Sequence, residues 1–160
     1  LKKSKYKFMN LSYRKNSKFL ILVLIAIILD QFSKYIISIN IDYFLNKEFF
    51  IFSFKYIRNY GAAFNIFNGN RIFLSSISIF TSIILIYFIF FKETLNLYNR
   101  YGLSFILAGS LGNGIDRIIN GYVIDFINFE IFDFPIFNIA DILINMGCII
   151  LIINYFKYKN

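Results

Sequence analysis

The sequence predicts an all-α membrane protein: four transmembrane helices with a small extracytoplasmic β-sheet and an aromatic surface loop. Composition is the first observation behind this, since 58% of the 160 residues are hydrophobic and only 16% are charged, with a mean hydropathy of +0.62. That balance lies outside the range of soluble domains. The second is length. A bilayer core about 30 Å thick takes roughly 20 apolar residues per helix, and stretches at about 19–39, 71–91, 101–119 and 138–156 meet that requirement. The third is the grouping of Lys and Arg on alternate connections. Four spans leave little chain for anything else, so residues 1–160 read as a single integral membrane domain.

The first span follows a basic tail that holds Lys2, Lys3, Lys5, Lys7, Arg14, Lys15 and Lys18. No small-residue cleavage site follows Asp30, so it reads as a retained helix rather than a cleaved signal peptide. Lys92 and Arg100, then Lys157 and Lys159, mark the same side. Cytoplasmic flanks are enriched in such residues, which puts both termini and the 92–100 connection inside, and segments 40–70 and 120–137 outside. The net charge of +8 is explained by insertion and by anionic lipid, so membrane lipids are expected partners and nucleic acid is not.

Within the first span, Asp30 and Lys34 stand one turn apart. An i,i+4 ion pair accounts for them. Charge placed this deep in a bilayer costs a few kcal/mol, however, so the same pair is equally a candidate for shaping a substrate pocket or tuning other carboxylates. Between the first two spans, Phe52, Phe54 and Tyr56 alternate with Ser53, Lys55 and Ile57. This imperfect period of two predicts a strand with one apolar face, lying on the outer membrane surface. The following segment, Asn59-Tyr60-Gly61-Ala62-Ala63-Phe64-Asn65, joins an amide to residues small enough for backbone to approach a ligand. Taken alone it reads as a turn.

The third span carries Gly109, Ser110, Gly112 and Gly114, which permit close helix packing. Asn113, Asp116, Arg117 and Asn120 follow the i, i+3, i+4, i+7 rule, giving one polar face directed into the bundle. Asp116 and Arg117 fit an internal hydrogen-bond and ion-pair cluster better than direct catalysis. The fourth span opens at Phe137-Asn138-Ile139-Ala140-Asp141, where Asn138 reads as N-cap and Asp141 as N3.

Asp125 and Asp141 flank an aromatic segment between the last two spans, in a chain without histidine. Two carboxylates brought close cannot both ionise, so they share a proton and can divide the acid and base roles of a hydrolysis. The helix dipole favours charge on Asp141, which suits Asp125 to hold the shared proton, although a coupled pair titrates as a unit. The missing histidine excludes Ser-His and Cys-His proteolysis and argues against zinc. The single Cys148 excludes an internal disulfide and reads as a small packed side chain. No metal or organic cofactor is required.

Five segments together resemble the bacterial lipoprotein signal peptidase (signal peptidase II) family of membrane aspartyl proteases. They are Asp30-Gln31-Phe32-Ser33-Lys34, Asn59 to Phe64, Gly112-Asn113 through Asp116-Arg117, Gly121-Tyr122-Val123-Ile124-Asp125-Phe126 and Phe137 to Asp141. The resemblance implies that Asp125 and Asp141 form a catalytic dyad and that Asp30, Lys34, Asn59, Gly61, Asn113, Arg117 and Asn138 bind substrate or support the pocket. It also implies a bacterial inner-membrane endopeptidase, with its active site on the extracytoplasmic side, that cleaves prolipoproteins before a diacylglyceryl-modified cysteine. A monomer suffices. Departures are confined to Ser33, Asn65 and Ser110, where the family more often has Thr, Ser and Ala. The aromatic segment 126–137, with Phe129, Phe132, Phe134 and Pro135, would sit at the headgroup level as anchor or cover.

Two other readings stay open on residues alone. A lipid-phosphate hydrolase would use the same carboxylates and amides to hold Mg²⁺. A small ion-translocating bundle would use Asp30, Lys34, Asp116 and Arg117 as a polar path.

Overall fold

The computed structural model describes residues 2–44, 47–62, 66–131 and 133–159. Of the segments singled out above, Ala63, Phe64, Asn65 and Phe132 lie outside these. The order is α1 (Lys2–Ile39), α2 (Ile41–Phe44), β1 (Glu48–Phe49), β2 (Phe52–Asn59), α3 (Arg71–Phe91), α4 (Leu97–Ile119), β3 (Val123–Phe129) and α5 (Ile139–Lys159). Three segments are long and apolar enough to cross a bilayer: Ser17–Ile39 of α1, Arg71–Phe91 and Ile139–Lys157 of α5. The chain is a membrane protein built mostly of helix.

Helix α4 falls outside that group because Asn99, Arg100, Asn113, Asp116 and Arg117 dilute its apolar content. It is the central helix instead, packed against α1, α3 and α5. It begins four residues before the expected boundary, because the Asn96 side chain caps it by accepting from Asn99 N at 2.8 Å. Its other end is closed by Arg71, which donates from Nε to Arg117 O at 2.7 Å and from Nη2 to Ile118 O. A cation on the last carbonyls of a helix also answers its dipole. Gly121, at φ 86°, then turns the chain into β3.

The helices meet through Phe19, Val23 and Ala26 of α1, Leu85 and Ile89 of α3, Leu107 and Ala108 of α4, and Leu143 of α5. Between α4 and α5 the approach is closer than side chains allow. A Cβ on Gly147 would lie 2.5 Å from Gly102 O, and one on Gly109 would overlap Ala140 O. The outward faces stay apolar, with Leu24, Ile28, Phe80, Ile83, Ile149 and Ile153 all exposed. Dispersion and close packing, rather than water exclusion, then hold helices together in lipid. Cys148 faces outward as well, so the expectation of a packed side chain there fails.

The sheet is antiparallel in the order β1-β2-β3. Part of the segment expected as aromatic loop is therefore strand, because Val123–Phe129 pairs along β2. The simple alternation expected for residues 52–57 is also broken. A register shift between Phe54 and Ile57 adds one residue to β2, so that Ile57 and Asn59, rather than Tyr56 and Arg58, come into register with Asp125 and Val123. Such a bulge re-aims the residues beyond it. Ile37, Ile124 and Phe126, with Phe44, Phe54 and Tyr122 around them, seat the sheet on the helices.

Candidate active site

The chain beyond β3 folds back on it. Phe137 O accepts from Phe126 N at 3.0 Å and Ile127 N at 2.9 Å, and Phe137 N donates to Ile127 O at 3.1 Å. Asn138 is the next residue, so this bridge delivers the start of α5 to the middle of β3. Asn138 caps α5 by accepting from Asp141 N at 3.1 Å, and Asp141 Oδ2 accepts from Asn138 N at 3.2 Å. This is a reciprocal capping box, which satisfies two orphan donors of the helix start. The capping expected for Asn138 and Asp141 is present in full.

The same cap serves a second purpose. Asn138 Nδ2 donates to Asp125 Oδ1 at 2.6 Å, and Asn59 Nδ2 donates to Asp125 Oδ2 at 2.8 Å. Both carboxylate oxygens of Asp125 are thus held by amides, one from β2 and one from the start of α5. Asn113 on α4 joins the pair, because its Nδ2 donates to Asp141 Oδ1 at 2.9 Å while its Oδ1 accepts from Asn138 Nδ2 at 3.1 Å. The two aspartates therefore share one amide framework.

Asp125 is buried, and burial pushes its carboxyl up to about 6 against the hydrogen bond from Asn59, with the Asp141 charge pushing it further up. Removing water penalises the charged form, and a like charge nearby adds to the penalty. Asp125 consequently holds a proton at pH values where an ordinary aspartate has lost it.

Beneath the aspartates lies a charged layer. Lys34 Nζ stands 2.8 Å from Asp30 Oδ2 and 2.9 Å from Asp116 Oδ2, and donates to Asn113 Oδ1 at 3.0 Å. Asp30, Lys34 and Asp116 are all at most 2% exposed. Asp30 Oδ1 also accepts from Ala140 N at 2.9 Å, so it takes a further orphan donor of α5. Asp30 and Lys34 form the expected i,i+4 ion pair, and Asp30 also fixes the helix start that carries Asp141. Gly112 makes room for this, since a Cβ there would lie 2.5 Å from Asp30 Oδ2.

Asn59 Oδ1 accepts from Gly61 N at 2.9 Å, closing a local turn, and Gly61 O accepts from Arg117 Nη2 at 3.0 Å. The segment that alone reads as a turn is therefore part of the site. All nine residues expected to act or support lie in this one connected network. Two members of it were not among them. Gln31 Nε2 lies 3.1 Å from Asp30 Oδ2, Gly112 O and Asp116 Oδ1, and Asp116 Oδ2 accepts from Ile124 N at 3.3 Å. Their polarity inside apolar stretches is the signal that marks them. Asn120, the last residue of the polar α4 face, is exposed, because the helix ends there. Among the described residues, no three His, Cys, Asp or Glu side chains gather as metal ligands.

Residues 22–157 match the family model described as "Signal peptidase (SPase) II". The chain belongs to the signal peptidase II family. It is 41% identical over 152 residues to the lipoprotein signal peptidase of Microcystis aeruginosa, covering 92% of this chain and 97% of that one. Against the lipoprotein signal peptidase of Clostridium tetani it is 41% identical over 145 residues, covering 86% and 92%. Two solved structures described as bacterial membrane enzymes, determined by the in meso method, share the fold. One has a TM-score of 0.82 at 37% identity over 90% of each chain, and the other 0.77 at 38% identity over 87% of this chain and 92% of that one. Membership of the signal peptidase II family makes this chain a membrane protease.

Proposed function

We propose that this protease is an aspartic endopeptidase that removes the signal peptide from diacylglyceryl-modified prolipoproteins, cleaving before the lipidated cysteine, with Asp125 and Asp141 as its dyad. The observation that carries the reading is the shared framework of Asn113 and Asn138. Four amide or backbone donors hold two carboxylates in one framework, and one of those carboxylates keeps its proton to about pH 6.

The roles follow from the surroundings. Asp141 sits at the N-terminus of α5, where the helix dipole and two donors favour its charge. It is the base that takes a proton from water as the water oxygen bonds to the scissile carbonyl carbon. Asp125, protonated, donates to the carbonyl oxygen as it gains charge. Collapse of the tetrahedral intermediate breaks the C–N bond. Asp141 passes the proton it took from water to the leaving amine, and Asp125 takes back the hydroxyl proton as the carbonyl re-forms, so both carboxyls return to their starting states. No cofactor takes part.

Asn59, Asn113 and Asn138 orient the dyad. Asp30, paired with Lys34, holds the start of α5, and Arg117 positions the Gly61 backbone. These residues act through the two carboxylates or through the backbone around them. In this reading α4 also crosses the membrane, making four transmembrane helices, both termini are cytoplasmic, and the dyad faces the extracytoplasmic side of the inner membrane. The enzyme acts as a monomer, and lipid stays in the bilayer while the peptide bond meets water. The aromatic residues Phe129, Phe134 and Phe137, whose rings pack together, cover the site at the headgroup level.

The test is cleavage of a diacylglyceryl-modified precursor peptide beside its unlipidated form, with and without EDTA. The reading requires cleavage of the lipidated peptide, preference for it, and no effect of the chelator. Activity lost in EDTA and restored by Mg²⁺ would transfer the carboxylates to a metal-dependent hydrolase.

A further inference from the structure

At the opposite end of α4 from the aspartates, the bundle holds a groove that the proposed chemistry does not use. Its volume is about 740 Å³, and its walls come from Leu85 and Phe88 of α3, Leu103 of α4 and Leu151 of α5. This is the size range of small-molecule sites. Asn99 and Asn113 are fourteen positions apart on one helix, about 20 Å along the axis, so groove and dyad are separate.

Three amides close the groove at its end. Asn154 Nδ2 donates to Asn99 Oδ1 at 2.6 Å and to Asn96 Oδ1 at 3.4 Å, and Asn96 Nδ2 donates to Asn154 Oδ1 at 3.4 Å. Asn154 is buried, whereas Asn96 and Asn99 remain part-exposed, and all three line the cavity. The lysines at this end of the bundle make its charge positive. Lys92 Nζ lies 5.2 Å from the ring centre of Phe88, a wall residue, and Lys157 Nζ lies 5.7 Å from that of Tyr98. Lys18 Nζ, on α1, lies 5.6 Å from the ring centre of Tyr101. Glu93 is the one acidic residue between positions 92 and 104.

Apolar walls, amides and nearby lysines together match the acyl chain, ester and anionic headgroup of a phospholipid. We propose that this groove binds one anionic glycerophospholipid, with an acyl chain between α3 and α5, its ester region at Asn96 and Asn99, and its phosphate between Lys92 and Lys157. Basic side chains at a membrane surface favour anionic lipid, each by an amount that salt screens. The walls select for a lipid rather than for phosphate alone.

The proposal is tested by native mass spectrometry of the full chain in a neutral detergent, titrated with dioleoyl phosphatidylglycerol or dioleoyl phosphatidylcholine. One phosphatidylglycerol binds on the order of 10-fold tighter than phosphatidylcholine. The double variant Lys92→Gln/Lys157→Gln removes that preference, while Lys47→Gln/Lys55→Gln, at the sheet end, retains it. Both pairs lie outside the buried network, so folding is preserved. Equal affinity for the two lipids overturns the proposal, as does equal loss of preference in the two double variants. Displacement of the lipid by glycerol phosphate overturns the role of the apolar walls.

Discussion

Asn138 donates its side-chain amide to Asp125 Oδ1 at 2.6 Å while capping the helix that carries Asp141. One residue thus couples the geometry of a strand carboxylate to that of a helix carboxylate. Replacement by Ala removes the cap, at about 1 kcal/mol of stability, and leaves the Asp125 oxygen without that donor. Asn138→Ala is expected to lower kcat by about 100-fold or more with KM little changed. Thermal unfolding beside peptide cleavage separates the two effects, and a variant that loses stability but keeps its kcat contradicts the orienting role.

The elevated carboxyl of Asp125 sets the pH response. With a dyad proton that leaves at about pH 6, kcat/KM for the free enzyme falls as pH rises through that value. Asn59 donates to the carboxylate and opposes the elevation. Asn59→Ala therefore moves the alkaline limb to higher pH. A pH profile of both proteins checks the sign, and a limb displaced to lower pH contradicts it.

Stability carries the same signature with its own sign. Between the ordinary value of 3.8 and about 6, the native state binds more protons at Asp125 than the unfolded chain, so stability falls as pH rises through this window. Asp125→Asn removes that penalty. The variant is expected to gain about 1 to 2 kcal/mol at pH 8 and much less at pH 4, read from unfolding midpoints at both values. An equal effect at the two pH values removes ionisation as the cause.

Lys34 is the cation between two buried carboxylates, Asp30 and Asp116. Lys34→Met leaves both without it, a loss of about 3 to 5 kcal/mol for a broken buried pair. Expression and unfolding of the variant test this, and near-parental stability would contradict the ion-pair account. Compensation by Asp116→Asn in the same chain is expected to recover part of the loss.

Helix extents and most of the network were legible in the sequence, because the signals are local: apolar runs of bilayer length, polar residues at helical spacing within them, and the Asn138 to Asp141 cap. The strand β3 and the bulge in β2 were not. Pairing between residues 52–59 and 123–129 joins segments some seventy positions apart, and no local pattern encodes which register they adopt. The contact of Asn59 with Asp125 depends on that register, and so does the reassignment of part of the aromatic segment from loop to strand. Gln31 and Asp116 were visible as polar residues in apolar stretches, yet their partners come from α1, α4 and β3 together. Only the packed bundle defines those.

The central claim is that two carboxylates, Asp125 and Asp141, perform the hydrolysis together. Cleavage of the diacylglyceryl-modified precursor by Asp125→Asn and by Asp141→Asn, each inserted in the membrane at parental level, tests it most directly. Loss of at least about 1,000-fold in kcat for each single variant, with little further loss in the double variant, is the predicted result. Near-parental cleavage by both single variants would contradict it.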